Sequence, residues 1–196
     1  MSSIAQEKQR VRMKAWDAVS QITHGERIAN GSQIQDRLTG TAVWQNASAV
    51  LIFAPLPDEP DIAELCQKSI NAGKTTCLPR YLPAKNNYEA AVIHDPARDL
   101  IPAKFGILEP SLDCEALPSM QLDLVLVPGV AFAPSGTRLG RGKGFYDRIL
   151  GSVSAQKIGV AFDQQIVMNI PFEEHDQRVD AIVTPTRWIE TMRRSA

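Results

Sequence analysis

The chain reads as an α/β protein, built in three layers around a largely parallel sheet. Two observations carry that reading. Short continuous apolar runs recur at Ala49-Val50-Leu51-Ile52-Phe53, Leu124-Val125-Leu126-Val127, Ile158 to Phe162 and Ala181 to Val183, the pattern of strands buried on both faces. Helical periods and Pro/Gly punctuation separate them, which favours strands alternating with helices. No internal repeat, low-complexity tract or linker interrupts the 196 residues, so residues 1–196 are read as one domain able to bury a core.

In order, residues 3 to 21 give a helix, with Ile4, Val11, Ala15, Ala18 and Val19 on a rough helical period and no Pro or Gly inside. A second helix is expected from about Glu26 to Leu38, weakened by Gly25 and Gly31. The strand at 49–53 ends in Ala54-Pro55-Leu56-Pro57-Asp58-Glu59-Pro60, and Pro60 sits where helices often start. That helix stops near Gly73. A strand over Thr75 to Leu78 is expected to stop at Pro79, and Tyr88 to Ile93 reads as a strand near a sheet edge. Asp95 to Pro110 is loop-like. The strand at 124–127 stops at Pro128-Gly129, and a long glycine-rich loop then leads to a helix from about Phe145 to Leu150.

The composition excludes several classes. The net charge is -1, with 21 Lys and Arg against 22 Asp and Glu, so no chain-wide field attracts nucleic acid or an anionic membrane. No apolar run approaches the roughly 20 residues of a membrane span. The N-terminus lacks an apolar signal core, which predicts a cytoplasmic protein. Cys66, Cys77 and Cys114 have no zinc-ligand spacing and read as free thiols in a reducing compartment. Trp16, Trp44 and Trp188 read as packing residues, and His175 as structural.

The chemistry concentrates in Arg138-Leu139-Gly140-Arg141-Gly142-Lys143-Gly144-Phe145-Tyr146-Asp147-Arg148, where glycines alternate at 140, 142 and 144 among four cations. Glycines let backbone N–H groups approach an anion. Arginine supplies forked donors and lysine a point charge, and the helix that follows favours negative charge at its start. A polyphosphate fits. The Walker loop is excluded because Gly144, not Ser or Thr, follows Lys143. The dinucleotide fingerprint is excluded by the alternating glycines. Gly73-Lys74-Thr75 lacks an upstream glycine and precedes a strand.

These residues resemble the signature of the 5-formyltetrahydrofolate cyclo-ligase family, with Gly136, Arg138, Leu139, Gly140, Gly142, Gly144, Tyr146 and Asp147 matching in order. Lys8 and Arg12 match an opening helix with Lys-x-x-x-Arg, a spacing that puts both cations on one face. Glu59-Pro60-Asp61-Ile62, Pro79-Arg80-Tyr81, Phe105-Gly106-Ile107-Leu108-Glu109-Pro110, Ala161-Phe162-Asp163 and His175-Asp176 follow in the family's order. The chain departs from the pattern at Ala133, where the family usually has Asp, at Ile62 for Thr, and at Phe145 for the first Tyr.

The resemblance implies a three-layer fold like the sugar-phosphate isomerase and CoA-transferase group. It implies a reaction in which ATP phosphorylates the formyl oxygen of 5-formyltetrahydrofolate. The neighbouring folate nitrogen then closes the ring, giving methenyltetrahydrofolate, ADP and phosphate, with Mg²⁺ bridging the phosphates. Phosphate binding is then expected from Lys8, Arg12, Arg138, Leu139, Gly140, Arg141, Gly142, Lys143, Gly144, Phe145 and Tyr146, with Arg141 or Lys143 stabilising the transferring phosphoryl. Asp147 and Asp176 are the expected metal ligands, with Asp180 as a substitute for Asp176. Leu56, Glu59, Asp61, Tyr81, Leu108 and Tyr146 are expected around the reduced folate. No nucleic-acid or membrane partner is expected, and the chain is expected to act as a monomer. The alternative is a paralogue with the same ATP site and a different small substrate.

Overall fold

The computed structural model describes residues 3–103 and 107–191. Helix α1 (Ile4–Ser20) starts with a capping box: the Ser3 hydroxyl accepts from the Gln6 amide, and the Gln6 side chain accepts from the Ser3 amide. Thr23 and Glu26 repeat the device at α2 (His24–Thr39). Then come α3 (Ala42–Asn46), β1 (Ala49–Leu51), α4 (Glu64–Asn71), β2 (Thr75–Leu82) and β3 (Asn87–Ile93). A one-turn helix α5 (Pro96–Asp99) leads into the ribbon of β4 (Leu100–Pro102) and β5 (Leu108–Pro110). After β6 (Ala116–Leu117) and β7 (Leu124–Pro128), a hairpin of β8 (Ala131–Phe132) and β9 (Arg138–Leu139) precedes α6 (Phe145–Gly151). The chain continues through β10 (Gln156–Val160), β11 (Ala181–Val183) and β12 (Trp188–Glu190).

The main sheet has the order β12-β11-β10-β7-β1-β2-β3-β6. Strands β11, β10, β7, β1 and β2 are parallel, and β12 and β3 join antiparallel. Alternation along the buried strands sorts side chains to opposite faces. Val50, Leu124, Leu126, Ile158, Val160 and Val183 pack with Ile34 and Leu38 of α2 and Trp44 of α3. Leu51, Val125, Val127 and Ile182 pack with Ile149 and Leu150 of α6 on the other face. This is the expected three-layer α/β arrangement. Helix α1 lies beyond the carboxyl ends of the strands, where Ala15 packs with Val130, Ala131, Ala133, Leu139 and Ile170.

Several boundaries differ from expectation. Strand β2 runs through Pro79 instead of stopping there. Only Ala49–Leu51 of β1 pairs with β2, opposite Thr75–Cys77, so beyond Cys77 the ladder of β2 is formed with β3. The Tyr81 amide, two residues on and pointing to the same side as position 79, donates to the Glu109 carboxylate at 3.3 Å. The missing N–H of Pro79 therefore costs no ladder bond, as for edge-strand prolines. Helix α4 starts at Glu64, not at Pro60. The 95–110 stretch is not all loop, since it holds α5 and the β4–β5 ribbon. Phe105 and Gly106, part of the resemblance, lie outside the described residues. The sequence reading lacked α3, β6 and β12. Two departures from the family pattern fall in the core: Ile62 and Ala133 both have 0% exposure.

Candidate active site

The loops after β1, β7 and β10 all leave from the carboxyl ends of parallel strands, the side on which such sheets receive ligands. A cavity of about 450 Å³ opens there. Three pieces distant in sequence form its walls: Ala5, Lys8 and Arg12 of α1, the loop from Arg138 to Gly144 with Asp147, and Glu173, His175 and Asp176. Leu139, Gly140, Gly142 and Lys143 of the glycine loop all line it. Gly144 caps α6 with φ +64°, a left-handed conformation that costs glycine little. Helix α6 has only seven residues, and the charge of the cavity is set by its side chains: Lys8, Arg12, Arg138 and Lys143 with Asp147, Glu173 and Asp176.

The cations are held differently from one another. Arg12 Nε donates to the Gly140 carbonyl at 2.9 Å, so α1 braces the loop. Lys8 does not stand open to a phosphate. Its ammonium donates to Glu173 Oε2 at 2.7 Å and Asp176 Oδ2 at 2.6 Å. Burial lowers the Lys8 proton affinity, and the two carboxylates more than reverse that, leaving it above the ordinary lysine value. Burial likewise pushes the Asp176 carboxyl up, but Lys8 and the Glu173 amide bring it below the usual range. Arg138 has a side chain only 3% exposed, bonded to Asp147 Oδ1 at 2.7 Å and to the Pro128 carbonyl at 3.2 Å. Its Nε is buried with no hydrogen-bond partner among the described residues.

The expected metal ligands, Asp147 and Asp176, both line the cavity. Asp180 does not: it accepts from the Lys157 amide at 2.9 Å and ties β10 to the segment before β11. Among the described residues no three His, Cys, Asp or Glu side chains are grouped to hold a metal. The convergence of Glu173 and Asp176 on one ammonium still fits Mg²⁺, which takes one or two carboxylates and completes its shell with phosphate and water.

Arg141 departs from expectation. It does not line this cavity. Nη2 reaches instead to Asp58 Oδ1 at 2.6 Å and Glu59 Oε1 at 3.3 Å. Glu59 is buried and also accepts from the Leu56 amide at 3.0 Å. Burial raises its pKa above the ordinary carboxylate value, with Leu56 and Arg141 partly countering. Tyr146 contacts the apolar clusters on both faces of the sheet and lies beneath Arg138, whose guanidinium carbon is 5.9 Å from the ring centre. Burial pushes its phenol far above the usual value, and the Glu59 charge adds to this. The phenol therefore stays protonated.

The Tyr81 and Tyr88 ring centres lie 5.2 Å apart, and Tyr88 packs on the same apolar cluster as Tyr146. Asp61 is exposed, and its carboxylate accepts from the Ala63 amide at 3.1 Å, the role of a turn residue before α4. Leu108 sits on β5, 47% exposed. The Phe145 side chain lies outside what the structure describes. Sequence reasoning missed Asp58, Tyr88 and Glu173. Asp58 and Glu173 adjoin residues that were singled out, but no spacing rule links either to its cation.

The architecture places the chain among α/β proteins that receive ligands at the carboxyl ends of parallel strands. Within that class it belongs to the 5-formyltetrahydrofolate cyclo-ligase family, an enzyme family whose model matches residues 4–185. The 5-formyltetrahydrofolate cyclo-ligase of Escherichia coli strain K12 is 36% identical over 170 residues, covering 85% of this chain and 93% of that protein. The Mus musculus protein of the same name is 28% identical over 187 residues, covering 90% and 92%. The solution structure of the Aquifex aeolicus 5,10-methenyltetrahydrofolate synthetase superposes with a TM-score of 0.86 at 28% identity, covering 96% of this chain and 95% of that one.

Proposed function

We propose that the protein uses ATP to cyclise 5-formyltetrahydrofolate to 5,10-methenyltetrahydrofolate, releasing ADP and phosphate. The observation that carries the reading is a bridge. Arg141, inside the glycine loop of the anion cavity, contacts Glu59 of the adjoining shielded group. The loop that borders the cavity thus also carries the guanidinium that turns to Glu59, which sets an anion in the cavity beside a ligand on Glu59 and Tyr146.

The terminal phosphoryl passes from ATP to the formyl oxygen, breaking its bond to ADP. The folate nitrogen at position ten attacks the activated carbon, loses its proton, and the C–O bond breaks to release phosphate. The protein's part is positioning and charge stabilisation. Arg12 and Lys143 draw the polyphosphate against Gly140 and Gly142, and Arg138 holds the floor of the cavity through Asp147. Glu59 accepts N–H groups of the pterin, and Tyr146 offers a hydroxyl that stays protonated. Glu173 and Asp176 would hold Mg²⁺, which when bound would neutralise charge on the phosphates.

The test follows methenyltetrahydrofolate absorbance and ADP release together, with purified protein, 5-formyltetrahydrofolate and Mg-ATP. Both products should form one for one, and Lys143→Ala should lower kcat/KM by about 100-fold. ADP without a folate product would transfer the reading to a paralogue acting on another substrate.

A further inference from the structure

Arg141 sits between two glycines on the loop, where the backbone gives its side chain little support. Its placement depends on what holds the guanidinium. The shorter of its two ion pairs, 2.6 Å, is to Asp58, and the longer, 3.3 Å, is to Glu59. Glu59 is a poor permanent anchor. One oxygen already accepts from the Leu56 amide, and burial raises the carboxyl's affinity for a proton. In the proposed reaction the folate ring also competes for its acceptors. Asp58, half exposed and one residue earlier, has among the described residues only Arg141 as hydrogen-bond partner for its carboxylate.

We propose that Asp58 is a positioning residue for phosphoryl transfer, holding the Arg141 guanidinium at the junction of the phosphate cavity and the folate slot. The inference rests on the cyclo-ligase reading. When the pterin takes the acceptors of Glu59, Asp58 is the carboxylate that keeps Arg141 from swinging into solvent. The guanidinium then faces the point where the formyl oxygen and the terminal phosphoryl come together. A planar fork held by a carboxylate on one edge keeps donors on the other for the reacting oxygens. Holding it there removes an orientational cost from the transition state while adding little to the binding of either substrate.

The experiment compares wild type, Asp58→Asn, Arg141→Ala and the double variant in the coupled absorbance and ADP assay, with melting temperatures measured alongside. Asp58→Asn should lower kcat by about 10-fold or more while both KM values move less than about 3-fold. Its melting temperature should stay near wild type, since the pair is half exposed. Asp58→Glu should recover part of the loss. The double variant should be no slower than Arg141→Ala, because Asp58 acts through that side chain. A wild-type kcat in Asp58→Asn, or losses that multiply in the double variant, would overturn the role of Asp58 and leave the cyclo-ligase reading standing. A wild-type protein that forms no methenyl product would overturn both.

Discussion

Lys8 shows how one side chain can satisfy a sequence pattern and yet work differently. Its spacing from Arg12 puts both cations toward the cavity, but its ammonium, on a side chain 9% exposed, is occupied by Glu173 and Asp176. Those partners lie 165 and 168 residues further along the chain. No local rule connects them, so the cation was legible and its neutralisation was not. Replacing Lys8 with Met would keep the stem and leave two carboxylates facing each other, one of them 12% exposed. The expected loss at neutral pH is at most about 3 kcal/mol, the lower end for a broken buried pair, because Glu173 is 41% exposed. Its pH dependence follows from the shifts. The depressed Asp176 carboxyl contributes stability above its ordinary value of 3.8 and loses it as pH falls through the folded value. Lys8, raised above 10.5, contributes below that value and loses it as pH rises through the folded one. The difference between wild type and Lys8→Met should therefore be widest between those limits and shrink toward pH 3. Urea unfolding at pH 3 and 7 measures this. A pH-independent difference would mean that Lys8 acts by packing alone.

Helix α2 sets the segment that carries Glu59. Gln35 Nε2 donates to the Asp61 carbonyl at 3.2 Å, and Arg27 Nη1 donates to the Pro57 carbonyl at 3.1 Å. Between them Gly31 lets the two backbones touch, since a Cβ there would fall 2.2 Å from the Asp61 oxygen. In the sequence this glycine looked like a weakness in a helix. The structure makes it a point of close backbone contact between α2 and the 57–61 segment. Gly31→Ala should gain about 1 kcal/mol of helix propensity and lose more to overpacking, for which about 1–3 kcal/mol is typical. We expect a lower melting temperature and a several-fold higher KM for the folate, with the KM for ATP nearly unchanged. A variant that melts higher, with both KM values intact, would show that the contact relaxes freely. The same tension explains which elements were readable. Long periodic helices and fully apolar strands declared themselves. Strand β2 declared only its first half, Thr75 to Leu78, because its passage through Pro79 depends on where β1 ends. The short α3, β6 and β12 depend on neighbours that the local pattern does not name.

No single segment owns the site. The cavity joins α1, the loop before α6 and the 173–176 turn, while Glu59 arrives from the end of β1. The sequence made the glycine loop and its cations plain. It could not show that β7 lies between β1 and β10, the sheet order that brings those loops together. A ligand that touches all three walls should therefore stabilise the whole fold rather than one loop. A non-hydrolysable ATP analogue with Mg²⁺, at 100 times its dissociation constant, should add about 2.7 kcal/mol. For a chain of this length that corresponds to a rise of about 5–10 °C in melting temperature. In Lys143→Ala the same analogue concentration should give a much smaller rise, because the variant is then far from saturation. 5-Formyltetrahydrofolate alone should give its own rise in both proteins, since Lys143 faces the phosphate cavity and not Glu59. With both ligands present, the wild-type shift should exceed the sum of the two if the nucleotide draws Arg141 away from Glu59 and frees that carboxylate for the pterin. A shift equal to the sum would mean that Arg141 stays on its carboxylates in the ternary complex. A folate shift with none from the nucleotide would remove the polyphosphate from the cavity altogether.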